Sequence, residues 1–108
     1  MAIKFSVRYD HITLSDWDQG QLVKKLQRLE KRVQEPHMLD ITFTHSTHHL
    51  NGQVVGCKMA LEQGKNIFYA AREAESVQTA LDQCLEAMVA ELEHNYGKRE
   101  VLEKGHRA

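Results

Sequence analysis

The stretch SDWDQGQLVKKLQRLEKRVQEP, residues 15–36, decides how the rest of the chain is read, because it carries both the first helix and the densest charge. Ser15 with Asp18 three positions on resembles a capping box with Asp in place of the usual Glu or Gln. Leu22, Leu26, Leu29 and Val33 then recur at helical spacing until Pro36 forbids continuation. The spacing predicts a helix over 16–34. Within it, KKLQRLEKR (24–32) places five cations in nine positions.

Working outward, Ile3, Phe5, Val7 and Tyr9 alternate with Lys4, Ser6 and Arg8, the period of a strand with one buried face, over about 2–9. After Pro36, Leu39, Ile41 and Phe43 alternate with Asp40, Thr42 and Thr44, predicting a second strand over about 38–45. Asn51-Gly52 marks a turn, since both residues tolerate the positive φ of tight hairpins. Val55, Cys57, Met59 and Leu61 give a third strand; Gln63-Gly64-Lys65-Asn66 turns the chain into a fourth, begun by Ile67-Phe68-Tyr69. Ser76 caps a last helix striped by Val77, Leu81, Cys84, Leu85, Met88 and Leu92, with Tyr96 a candidate beyond them and Gly97 as its expected stop. Residues 1–99 thus read as one domain and 100–108 as a polar C-terminal tail.

The order β-α-β-β-β-α has physical consequences. A strand-helix-strand opening implies parallel pairing of the first two strands by a crossover, and the hairpins imply antiparallel pairing afterwards. Alternation leaves one polar sheet face, so both helices are expected on the other. The fold class is α+β, a two-layer sandwich of a four-stranded mixed sheet with two helices on one face.

At 108 residues, 42% of them hydrophobic and 27% charged, the chain suits one core. The N-terminus has no apolar signal region and no run approaches the roughly 20 apolar residues of a membrane span, so a soluble, cytoplasmic protein without membrane attachment is expected. Cys57 and Cys84 lie in apolar patterns without metal-type spacing and are read as reduced core residues. The formal net charge of −1 is unevenly spread: residues 20–36 carry five basic and two acidic side chains, whereas 73–93 carry six acids and no Lys or Arg. The chain is electrically two-sided along its length.

On the first helix, Lys24, Arg28 and Lys31 fall on one exposed flank with Lys25 and Arg32 beside them. Such a ridge suits a phosphate backbone, because each Lys or Arg that neutralises a phosphate releases counterions. A solvated face near the carbonyl end of a helix shows the same residues. His45, His48 and His49, with His37 and Asp40 nearby, have no spacing that converges three ligands, and are read as a polar hairpin loop holding no metal or other cofactor. Trp17 and Tyr96 could stack on bases, but a Trp in the first turn of a helix is expected to pack over the core's edge. No nucleophile elbow, phosphate loop or metalloprotease motif is present, which speaks against an enzyme.

Together with the element order, Ile12-Thr13 after the first strand, Leu26-Gln27-Arg28-Leu29-Glu30-Lys31, Pro36-His37 and Thr79-Ala80-Leu81-Asp82 resemble the bacterial ribosome hibernation factors. The family includes the hibernation promoting factor and the ribosome-associated inhibitor, and the likeness spans residues 2–99. It implies a translation inhibitor of stationary-phase, stressed cells that binds the small ribosomal subunit in the mRNA and tRNA channel, contacting 16S rRNA and ribosomal proteins through basic side chains on both helices. Lys25, Arg28 and Lys31 match basic positions of the family's first helix. The second helix departs: Ala87, Ala90 and Glu91 stand where relatives carry Lys or Arg, basic character returns only at Lys98 and Arg99, and Val77 or Gln78 replaces an aromatic residue. The resemblance therefore implies rRNA binding mainly through Lys24, Lys25, Arg28, Lys31 and Arg32, with Lys98 and Arg99. The alternative is a diverged relative acting as a regulatory module whose acidic second helix meets a protein partner.

Overall fold

A computed structural model describes residues 3–34, 36–49 and 52–107, with side chains described over 3–34, 36–45 and 54–94. The elements are β1 (Phe5–Asp10), α1 (Asp16–Glu30), β2 (His37–His49), β3 (Gly52–Gln63), β4 (Asn66–Ala74) and α2 (Val77–Arg107). The strands form one sheet in the order β1-β2-β3-β4. β1 pairs with β2 in parallel, Val7 opposite Ile41, and the other two pairings are antiparallel. The expected mixed sheet with both helices on one face is what the chain forms.

One set of alternating side chains builds the core. Leu39, Ile41 and Phe43 of β2, Cys57, Met59 and Leu61 of β3 and Phe68 and Ala70 of β4 meet Leu22, Leu26 and Leu29 of α1 and Leu81, Leu85, Met88 and Leu92 of α2 in a single buried cluster. The opposite sheet face is open to solvent and mixed in character: Ser6 donates a hydrogen bond across the β1–β2 pair to Asp40 at 2.7 Å, while Met38, Ile67 and Tyr69 are exposed on it. Cys57 and Cys84 are both fully buried and free of any disulfide. The Cys57 thiol is pushed above its ordinary value by its hydrogen bond with Cys84 and by burial.

Five boundaries differ from the sequence reading. β1 starts at Phe5 rather than near residue 2, because its pairing with β2 begins opposite Leu39. α1 ends at Glu30 rather than near 34, because Arg32 N–H and Val33 N–H both turn back to the Leu29 carbonyl and close the last turn around Lys31. β2 runs on through Ser46 and Thr47 to His49, so these residues are strand rather than loop, and Gly52 opens β3 opposite His49. Asn51, the other expected turn residue, lies outside the described residues. β4 extends to Ala74, since its backbone pairs with β3 as far as Val55. α2 continues as helix through Gly97 to Arg107: a glycine inside a helix costs only about 1 kcal/mol, and the Lys, Arg, Glu and Leu residues that follow are strong helix formers. The expected Gln63–Asn66 turn is present, with Gly64 at φ +60.

Candidate nucleic-acid interface

α1 starts as the sequence implies. Ser15 accepts a hydrogen bond from the Asp18 amide at 3.1 Å, satisfying one amide that the first helical turn leaves unpaired, and its hydroxyl donates to the Asp18 carboxylate at 3.1 Å. At about 100° per residue, Leu22, Leu26, Leu29 and Val33 share the side that faces the sheet, and two further lines of side chains follow from that orientation.

The first line, Asp18, Lys25 and Arg32, recurs every seven residues and faces α2. Gln78 donates to Asp18 Oδ1 at 2.8 Å and accepts from Lys25 Nζ at 2.6 Å. Lys25 Nζ also lies 2.8 Å from Asp82 Oδ1, and Arg32 reaches Glu93 Oε1 at 3.4 Å while donating to the Arg28 carbonyl at 2.9 Å. Partners rise together along both helices, from 18 with 78 to 32 with 93, so α1 and α2 run side by side in the same direction. Part of the charge asymmetry in the sequence is thus resolved within the molecule: a basic edge of α1 meets an acidic edge of α2.

The second line, Lys24, Arg28 and Lys31, lies opposite the leucine stripe and points away from the sheet. All three residues are exposed and form no ion pair among the described residues. Of the five cations in KKLQRLEKR, three therefore face solvent as a ladder, whereas Lys25 and Arg32 are engaged by α2. Trp17 continues the same line toward the start of α1 and is 64% exposed. It does not close the core's edge as expected; the buried Leu14, just before the helix, does that.

α2 adds no cations to this surface among the described residues. Ala87 is half-buried and packs against the core, Ala90 is exposed, and Glu91 is half-buried. Lys98, Arg99 and Tyr96 lie on the last turns of α2, where side chains are outside the described residues, as are those of His48 and His49. His37 is buried and its Nε2 accepts the Lys4 amide at 3.0 Å, a structural use of a histidine that the sequence left in a loop. Among the described residues, no three His, Cys, Asp or Glu side chains come together as a metal site, and no helix is long and apolar enough to cross a membrane. The solvent-exposed sheet face carries an open groove of about 460 Å³ between Asp40, Thr42, Lys58, Ala60, Tyr69 and Ala71. That groove is on the far side of the molecule from the ladder.

Residues 5–100 match the family model described as sigma 54 modulation protein / S30EA ribosomal protein. Among solved structures, the chain is similar to the N-terminal domain of Protein Y from Thermus thermophilus, with a TM-score of 0.69 at 13% identity over 87% of this chain and 98% of that one. It is also similar to a ribosomal subunit interface protein from Coxiella burnetii, with a TM-score of 0.72 at 12% identity over 88% of this chain and 99% of that one. At such identities these two structures speak to the fold. No curated protein matches the chain.

Proposed function

The chain belongs to the family of sigma 54 modulation proteins and S30EA ribosomal proteins, and on that premise we propose that it is a ribosome-associated translation inhibitor of the hibernation type. It is a binding protein, not an enzyme. Its docking surface is the outer face of α1, and its target is 16S rRNA of the small subunit in the channel that mRNA and tRNA would occupy.

The observation that carries this reading is the ladder of Lys24, Arg28 and Lys31, three exposed cations on one face of α1 and its C-cap with no acidic partner among the described residues. Phosphate contacts of this kind are salt-dependent: on single-stranded RNA, three of them lose roughly twentyfold in affinity as salt rises from about 50 to about 200 mM. The competing reading, a protein partner on acidic α2, has less to stand on, because Asp82 and Glu93 already face Lys25 and Arg32. The resemblance adds Lys98 and Arg99, on the last turns of α2, to the proposed contact.

The test is co-sedimentation with purified small subunits at two salt concentrations, comparing the natural chain with Arg28→Glu/Lys31→Glu. Binding that survives the double reversal unchanged would remove the ladder as the contact.

A further inference from the structure

Three cations are few for a stable RNA complex, and the outer line of α1 has one more member. Trp17 is the chain's single tryptophan and leaves 64% of its surface in water, although it sits one turn from the core. Tyr69 on the far sheet face is as open, so what singles out Trp17 is its place in line with the three outward cations. One helical turn on, Gly20 occupies the same line, and a methyl group built there would meet nothing within 4 Å. No neighbouring atom crowds the helix one turn from the indole. With a rise of about 1.5 Å per residue, Lys24, Arg28 and Lys31 follow at about 10, 16 and 21 Å from Trp17 along the axis.

The charges around Trp17 are of the other sign. Asp16 is exposed beside it, and the Asp18 carboxylate next to it is held by Ser15 and Gln78. A phosphate is unfavourable at that end, whereas a neutral base is not. The exposed Asp16 carboxylate also offers an acceptor to the amino group of a base, as carboxylates do for cytosine N4.

From this arrangement we infer that Trp17 is a stacking platform for one unpaired RNA base, with the sugar-phosphate chain that carries the base running down the Lys24–Arg28–Lys31 ladder. The inference rests on the reading of α1 as an RNA contact and deepens it: the preferred ligand is single-stranded RNA, since a paired base has no free face to offer.

Because Trp17 is the only tryptophan, its fluorescence reports the contact directly. A short single-stranded oligoadenylate should quench it saturably, whereas inorganic polyphosphate and an RNA duplex of equal length should not. Trp17→Ala should bind a dye-labelled oligoadenylate about tenfold more weakly with an unchanged salt slope, and Trp17→Phe should recover most of the loss. Since the side chain is exposed, circular dichroism of both variants should match that of the natural chain. If small subunits bind the natural chain and Trp17→Ala equally well, the stacking role is overturned while the ladder stands. Quenching by subunits but by no RNA would put a ribosomal protein against Trp17 and also overturn it. Failure of the natural chain to bind either RNA or subunits would overturn both readings together.

Discussion

Lys25 Nζ sits 2.8 Å from Asp82 Oδ1, with Lys25 largely shielded and Asp82 half exposed, so a cation that the sequence presents as one of five equals is committed to the neighbouring helix. The pair is partly screened by water, which limits its worth to about 0.5–1 kcal/mol. Lys25→Ala should lower stability by about that amount in urea titrations, and a double-mutant cycle with Asp82→Ala should show coupling of the same order. Small-subunit binding should change little. A Lys25 variant as defective in binding as Arg28→Glu would mean that the seam between the helices opens on the ribosome.

Arg28→Glu with Lys31→Glu should abolish association with small subunits and leave thermal unfolding nearly unchanged, since neither side chain touches the core. The same two positions changed to Ala should weaken binding less and flatten its salt dependence by the contacts removed. Adding charge to α2 with Ala90→Arg, at an exposed position, should strengthen binding if that flank faces RNA.

Leu26→Ala should cost about 2–5 kcal/mol, because Leu26 is 1% exposed and meets the sheet on the side away from the ladder. Chemical denaturation measures it directly; a shift near zero would contradict the placement of α1 over the sheet.

Gly20→Ala should raise stability by about 0.5–1 kcal/mol. Gly20 lies inside α1 in open space, so alanine relieves the entropic cost of an internal glycine without meeting a neighbour.

The buried Cys57 thiol predicts an alkaline limit. In the folded chain the Cys57 thiol holds its proton above the ordinary range of about 8.5, whereas in the unfolded chain it releases it there. Its contribution to stability is therefore complete below about pH 8.5 and declines as pH rises further. Cys57→Ala should lower stability at neutral pH yet show a shallower decline at alkaline pH than the natural chain. An identical slope would exclude Cys57 as a source.

Burial explains what the sequence made legible. Where a helix covers the sheet, Leu39, Ile41 and Phe43 alternate cleanly, and the strand could be read. At Ser46 and again at His49 the backbone still pairs with β3, across an irregularity between them, but no apolar alternation marks the segment, so strand resembles loop there. The alanines at 70, 71 and 74 have little intrinsic preference for strands, and pairing with β3 overrides them. Trp17 falls off the Leu22, Leu26, Leu29 line, and its exposure follows from that spacing. The split of five cations into three outward and two inward is not legible in the sequence, because it depends on where α2 lies.

The sheet's strand order also implies an order of events in folding. Strands β2, β3 and β4 are neighbours in the chain and can zip from their turns, Gln63 meeting Asn66 across two residues. β1 is different: Ser6 must find Asp40, 34 positions away, with α1 formed between them. Closing that long loop delays the parallel pair, so β1 should dock late on a hairpin platform that already exists. In stopped-flow experiments, Met59→Ala should then slow refolding, whereas Val7→Ala should chiefly accelerate unfolding. On the ribosome the first of these strands to be synthesised is consequently the last to find its place, and it ends as one of the two edges of the finished sheet.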